Sequence, residues 1–158
     1  ESHFGQSIAS ADLNSDGFSD VIVGAPGAAL FDEIGLCALP EGASSPPGVA
    51  YVFYGPLSGQ VMASMADASL SGVNGWDRFG SSVSGAGDVN GDGAADLLVG
   101  GAQMGTGAVN SGGAFVAFGP FGGPASYFES AGVVMLGELS SDAAGTSVTH
   151  SFRIGETT

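Results

Sequence analysis

The chain carries the nonapeptide Asp12-Leu13-Asn14-Ser15-Asp16-Gly17-Phe18-Ser19-Asp20 and, later, Asp88-Val89-Asn90-Gly91-Asp92-Gly93-Ala94-Ala95-Asp96. We call these the first and second aspartate loops. Both place oxygen-bearing side chains at positions 1, 3, 5 and 9 and a glycine at position 6. Each is followed at once by an apolar run of strand length, at residues 21–23 and 97–99. The repetition therefore predicts two homologous units in which a glycine-containing loop joins two β-strands.

Further segments recur around the two loops in the same order. Phe4-Gly5 returns as Phe79-Gly80, residues 21–26 return as 97–102, and residues 50–56 return as 114–120. Gly87 is a one-residue insertion in the second unit, and the first unit carries a longer connection within residues 27–48. A third unit begins near Leu136, where residues 145–148 match 80–83, and no third aspartate cluster follows.

Each complete unit is predicted to form four short strands separated by glycine-rich turns. No window shows sustained helical periodicity, and the 29 glycines disfavour helix interiors. The chain is therefore predicted to be all-β, with β-propeller-like blades: two four-stranded blades plus part of a third. The predicted strands are residues 6–12, 21–26, 49–55, 68–72, 82–88, 97–102, 114–119, 133–137 and 147–153. The predicted units are blade 1 at 1–72 with its long loop 27–48, blade 2 at 73–137, and a partial third repeat or exchanged strand at 138–158.

The spacing within the aspartate loops suits a hard divalent cation. Side-chain oxygens at positions 1, 3, 5 and 9, with a backbone carbonyl at position 7, form an oxygen cage, and glycine at position 6 permits the sharp turn. Calcium accepts about six to eight oxygens, whereas magnesium keeps several waters and softer metals prefer His or Cys. We predict one calcium ion in each loop, two in all. The predicted ligands are Asp12, Asn14, Asp16, the Phe18 carbonyl and Asp20, and Asp88, Asn90, Asp92, the Ala94 carbonyl and Asp96.

Two alternatives share this composition. Asp, Asn and Gly are common in hairpin turns, so one copy alone could be an Asx-rich turn; the second copy, with the same oxygen positions, favours the cation cage. An EF-hand begins with the same spacing but needs a Glu at position 12 and flanking helices. Position 12 is Val23 in one loop and Val99 in the other, each within a predicted strand, which excludes an EF-hand.

Together with the Phe-Gly pairs and Gly24-Ala25-Pro26 after the second strand, the aspartate loops resemble the FG-GAP repeat of integrin α-subunit β-propellers and of many bacterial surface proteins. The second unit departs from the pattern at Gly100-Gly101-Ala102. The resemblance covers residues 3–120 well and 133–150 weakly. It implies a multi-bladed propeller that binds calcium in the loops of some blades and serves adhesion.

Charge and composition exclude several classes of partner. The chain has 16 acidic and 2 basic residues, a formal charge of −14, which disfavours nucleic acid and anionic membranes. No apolar run is long enough to span a bilayer. The single cysteine, Cys37, cannot form an internal disulfide and is expected to be a free or intermolecular thiol. Loops of this type bind calcium at about 10⁻⁴ to 10⁻³ M outside cells, so we predict an extracellular or cell-surface location.

No catalytic residue is predicted. His3 and His150 have neither a partner cysteine nor a repeated spacing, and the clustered aspartates are all used by the predicted cation cages. Trp76, just before the second Phe-Gly, is either an exposed partner contact or a cap on the blade junction.

The predicted function is a non-catalytic, calcium-binding structural module acting in adhesion or in head-to-tail assembly of a surface or extracellular filament. Two blades do not close a propeller, so the end faces are expected to pack against copies of the chain or against blades of a longer chain. The alternative is a lectin-like domain of a larger secreted protein or enzyme, binding a surface glycan or a protein.

Overall fold

The computed structural model describes residues 1–30, 45–104, 111–126 and 132–149. Cys37, His150 and most of the long loop lie outside these residues, so the predictions made for them stay predictions. Within the described ranges the chain forms short strands and one turn of 3-10 helix. The elements are β1 (Ser7–Ala11), β2 (Asp20–Ala25), β3 (Val49–Phe53), η1 (Ala63–Met65), β4 (Ala68–Ser71), β5 (Phe79–Gly87), β6 (Asp96–Gly101), β7 (Gly113–Ala117), β8 (Gly123–Ser126) and β9 (Val133–Leu136).

The strands form two sheets, which confirms the all-β prediction. The first has the order β1-β2-β3-β4-β8 and the second the order β5-β6-β7-β9. We call β1–β4 blade 1 and the second sheet blade 2. All pairs within each blade are antiparallel, as expected for strands joined by short turns. These are blades of the β-propeller type.

Strand β8 was not predicted from the sequence. It comes from the connection between β7 and β9 of blade 2, yet it pairs in parallel with β4 of blade 1, with Ala68 opposite Gly123. The Tyr54 hydroxyl of blade 1 donates to the Phe121 carbonyl at 2.7 Å just before this strand. The connection between β7 and β9 therefore covers the outer edge of blade 1, an edge that would otherwise leave unpaired backbone groups.

The inserted residue Gly87 has a visible structural effect. The register of β5 against β6 shifts between Gly85 and Gly87, and Gly87 has φ of 70°. An extra residue opposite one partner residue is a β-bulge, and glycine accepts the left-handed conformation without strain. The bulge absorbs the insertion, so Asp96 still begins β6 as Asp20 begins β2.

The main apolar core lies between the two blades. Blade 1 contributes one face of β2, β3 and β4, and blade 2 contributes the opposing face of β5, β6 and β7. Phe79 of the second Phe-Gly pair is fully buried there, with its ring centroid 6.2 Å from that of Phe115. The largest side chains in this core are Phe79, Phe115, Leu13, Ile22, Leu70 and Leu97.

Hydrogen bonds from two serine hydroxyls to glycine carbonyls link successive units. The Ser7 hydroxyl donates to the Gly80 carbonyl at 2.9 Å, close to Gly24, where a Cβ would approach that carbonyl oxygen to 2.0 Å. The Ser82 hydroxyl likewise donates to the Gly145 carbonyl at 2.8 Å. Gly145, in the segment that opens the third unit, therefore contacts blade 2 in the same way that Gly80, at the start of blade 2, contacts blade 1.

A strand was predicted at residues 147–153. Its described residues, 147–149, are not in a strand, and the remainder lies outside the described chain. None of the helical structure in the described ranges is long and apolar enough to cross a membrane.

Candidate metal centre

The two aspartate loops occupy equivalent places in the two blades. The first connects β1 to β2 and the second connects β5 to β6, with the last aspartate of each loop as the first residue of the following strand. The side chains at positions 1, 3 and 5 are exposed, whereas the aspartate at position 9 is fully buried in both loops.

The aspartate at position 1 organises the turn of its loop. Asp12 Oδ1 accepts a hydrogen bond from the Asp16 amide at 3.1 Å, and Asp12 Oδ2 accepts one from the Gly17 amide at 3.0 Å. In the second loop Asp88 accepts from the amides of Asp92 and Gly93 at 3.1 and 3.0 Å. The glycine at position 6 has φ of 87° in one loop and 92° in the other, a conformation that favours glycine.

Positions 3 and 5 are joined by a second pair of bonds. Asn14 donates from its amide nitrogen to Asp16 Oδ2 at 2.9 Å, and Asp16 Oδ1 accepts from the Phe18 amide at 2.8 Å. The equivalent distances are 2.7 Å from Asn90 to Asp92 and 2.8 Å from Ala94 to Asp92. Hydrogen bonds from the Ala94 amide and the Asn90 side chain lower the pKa of the Asp92 carboxyl. Asp92 is therefore a carboxylate at neutral pH.

The buried aspartates at position 9 join each loop to the third strand of its blade. Asp20 accepts from the Leu13 amide at 2.7 Å and from the Gly55 amide at 2.9 Å. Asp96 accepts from the amides of Val89 and Gly119 at 2.7 and 3.0 Å. Each carboxylate thereby fixes its loop and the end of β3 or β7 in one arrangement.

Gly55 and Gly119 belong to the site, and the sequence analysis did not assign them. A Cβ on Gly55 would lie 2.7 Å from the Ser19 carbonyl oxygen, and one on Gly119 would lie 2.6 Å from that of Ala95. Both glycines precede a cis proline, Pro56 and Pro120. The recurrence of Gly-Pro after the third strand was the signal that could have identified them, because a repeated glycine indicates a close backbone approach.

The chemistry of the donor set fits a hard cation. Exposed carboxylate and amide oxygens on each loop are the ligands that calcium accepts, and the hydrogen bonds use only part of the lone-pair capacity of each carboxylate. The described residues nevertheless include no cluster of three or more His, Cys, Asp or Glu side chains already arranged around a metal position. The coordination predicted for the ten residues therefore stays a prediction.

Comparison with known proteins agrees with the repeat structure. The FG-GAP repeat family matches residues 4–36, from the first Phe-Gly pair through the first aspartate loop and β2. The chain carries an FG-GAP repeat. The resemblance inferred from Phe4-Gly5, the aspartate loop and Gly24-Ala25-Pro26 is thus confirmed.

The FG-GAP chain is also similar to integrin α subunits over more than one repeat. It is 37% identical to integrin alpha-5 of Xenopus laevis over 99 residues, which is 63% of this chain and 8% of the relative. Integrin alpha-PS5 of Drosophila melanogaster is 39% identical over 107 residues, or 68% of this chain and 9% of the relative. Integrin alpha-3 of Mus musculus is 38% identical over 112 residues, which is 68% of this chain and 9% of the relative. The chain spans less than a tenth of the length of each relative.

Proposed function

We propose that this chain is a non-catalytic, extracellular adhesion-type module whose two aspartate loops each bind one calcium ion. The observation that carries the proposal is the common hydrogen-bond framework of the two loops: the same amides donate to positions 1, 5 and 9 in both. The two blades differ in their core residues but share one loop geometry, and the exposed oxygens of that loop suit a hard cation. The similarity to integrin α subunits supports the adhesion role and the location outside the cell.

The proposed ligands are the exposed oxygens of positions 1, 3 and 5, the position 7 carbonyl and the buried carboxylate of position 9. Three carboxylates on one short loop repel one another, and a divalent cation would offset that repulsion. Asp20 would have two roles, because a carboxylate that accepts two amide hydrogen bonds still has lone pairs for a cation. Calcium would then couple each loop to the end of the third strand through Gly55 or Gly119.

We also propose that the outer face of blade 2 packs against another FG-GAP blade, from a second copy or from a longer chain. Val133 and Met135 of β9 are 46% and 49% exposed on this face. An apolar sheet face of this kind is normally covered by the next blade of a propeller. A head-to-tail contact between copies would place blade 1 of one chain on blade 2 of another.

Calorimetric titration with calcium tests the metal proposal. The unsubstituted chain should bind two ions, and Asp16→Ala and Asp92→Ala should each bind one. Glu138→Gln, which removes an exposed carboxylate outside both loops, is the control and should keep two. Two intact sites in either loop variant, or none in the unsubstituted chain, would contradict the proposal.

Light scattering tests the packing proposal. If copies associate, Met135→Glu should yield a monomer, because it places a charge on the contact face. Met62→Glu, at an apolar residue that is 57% exposed in the connection before η1, is the control and should leave association unchanged. A monomer already formed by the unsubstituted chain would contradict self-assembly and leave a longer chain as the source of the neighbouring blade. Saturable binding of a glycan would instead favour the lectin-like alternative.

A further inference from the structure

A cavity of about 360 Å³ lies at the ends of β1 and β5 that are opposite to the aspartate loops. Its wall includes the start of the chain, residues 26–27 and 45–46, and the connection that precedes β5. The side chains that give it chemical character are His3, Trp76, Arg78 and Gln103. No part of the cavity coincides with the proposed calcium ligands, so any role it has is separate from metal binding.

The connection before β5 is a turn held by the buried carboxylate of Asp77. Asp77 Oδ2 accepts hydrogen bonds from the amides of Val73 and Asn74 at 3.2 and 2.9 Å, and the residue is 3% exposed. Trp76 and Arg78 flank it with φ of 76° and 53°. Bulky residues rarely adopt such angles, so this turn holds Trp76 and Arg78 in an unusual conformation. Trp76 is 61% exposed.

The next unit repeats this turn without the large side chains. Asp142 Oδ2 accepts from the amides of Glu138 and Leu139 at 3.1 and 2.9 Å. Ser141 and Ala143 occupy the positions of Trp76 and Arg78, with φ of 68° and 52°. Small residues therefore suffice to form the turn, and its geometry does not explain the indole or the guanidinium beside the cavity.

Nitrogen-bearing side chains approach the cavity from two equivalent positions. His3 occupies in the first unit the place that Arg78 occupies in the second, and its φ is 52°. Arg78 forms no ion pair with a carboxylate of the described residues, although Glu1 also lies on the cavity wall. An exposed guanidinium next to an exposed indole is a common centre of protein recognition, and its preferred partner is a carboxylate.

We propose that this cavity binds the carboxylate side chain of an acidic peptide segment from a partner protein. Arg78 forms the ion pair, and Trp76 packs against the peptide beside it. A sugar acid fits less well, because its hydroxyl groups need several convergent donors and acceptors, and the described wall residues offer one amide, Gln103, and one hydroxyl, Ser45, beside His3 and the Trp76 indole. The proposal does not depend on calcium, because the aspartate loops lie at the other end of the same strands.

Trp76 is the single tryptophan of the chain, so its fluorescence reports directly on this cavity. We would titrate the full chain with the blocked peptide acetyl-Gly-Asp-Phe-Gly-amide and with the matched Asn peptide. The Asp peptide should shift the Trp76 emission in a saturable manner, and the Asn peptide should bind about tenfold more weakly or less. Arg78→Ala, which installs the residue found at the equivalent position 143, should weaken binding of the Asp peptide by about tenfold or more.

Two further variants keep the result interpretable. Arg78→Lys keeps the charge but loses the planar fork and should bind with intermediate affinity. Trp76→Ser, measured by calorimetry, should also bind more weakly. Thermal unfolding of each variant should match that of the unsubstituted chain, because residues 141 and 143 show that the turn tolerates small side chains. Equal affinity for both peptides, no binding, unchanged affinity in Arg78→Ala, or binding of galacturonate in place of the peptide would overturn the proposal.

Discussion

The two blades present the same apolar pattern on equivalent faces, yet only the face of blade 1 is buried along its whole width. Ile22 and Leu70 of blade 1 are 0% and 1% exposed, because blade 2 packs directly on them. Their counterparts by register are Leu98, which is half-buried, and Met135, which is 49% exposed. The repeat encodes an apolar face in each unit, and complete burial of that face requires the next unit in the series.

The junction turns differ in the same manner. Asp77 is buried between the two blades, whereas Asp142, with the same pair of amide bonds, is exposed on the outer side of blade 2. Identical local structure therefore does not imply identical energetics. A residue at the inner junction should contribute much more to stability than its counterpart at the outer face, and paired substitutions can measure this.

The largest difference is expected for the pair Leu70→Ala and Met135→Ala. Removing a fully buried leucine leaves a cavity in the core between the blades and should lower the free energy of unfolding by about 2–5 kcal/mol. Removing the half-exposed methionine should cost less than about 1 kcal/mol. Urea denaturation of both variants measures the difference. Similar losses would mean that the face of blade 2 is covered in solution, as association would require.

A smaller difference is expected for Gly24→Ala and Gly100→Ala. A Cβ at Gly24 would approach the Gly80 carbonyl oxygen to 2.0 Å and so push blade 2 away from blade 1. We expect a loss of about 1–3 kcal/mol in the free energy of unfolding. A Cβ at Gly100 would approach the Gly145 carbonyl oxygen to 1.9 Å, but it can displace the short segment around Gly145 at lower cost. If Gly100→Ala proved the more destabilising of the two by thermal denaturation, residues 143–145 would be an integral part of the core.

The smallest effect is expected from the ionisation of Asp77. Burial raises the pKa of its carboxyl, and hydrogen bonds from Asn74 and Val73 offset the shift in part. A raised folded-state pKa means that the folded chain holds the proton more tightly, so this group's contribution to stability is lost as the pH rises through that pKa. Asp77→Asn keeps an oxygen for both amides and removes the titration. Its free energy of unfolding, relative to the unsubstituted chain, should therefore increase as the pH is raised from about 4 to 7, measured by urea denaturation; a constant difference would contradict this assignment.

The sequence predicted the parts of this protein that depend on local rules. The paired aspartate loops, the strands on either side of them and the one-residue insertion at Gly87 follow from turn chemistry and from comparison of the two repeats. The FG-GAP resemblance rested on those same residues. The repeated Gly-Pro pair could have identified Gly55 and Gly119 from the sequence. The reason that glycine is needed there became clear only from the positions of the loop carbonyls in the structure.

The tertiary structure decided what depends on residues far apart in the chain. It paired β8 of the second unit with the edge strand of blade 1. It also buried the Asp20 carboxylate, which accepts hydrogen bonds from two backbone amides. It also brought His3 and Arg78 to one cavity, although 74 residues separate them in sequence. Local spacing specifies a loop or a strand because it involves neighbours along the chain. Burial, strand partners and the walls of a cavity are set by packing between units, which no single segment contains.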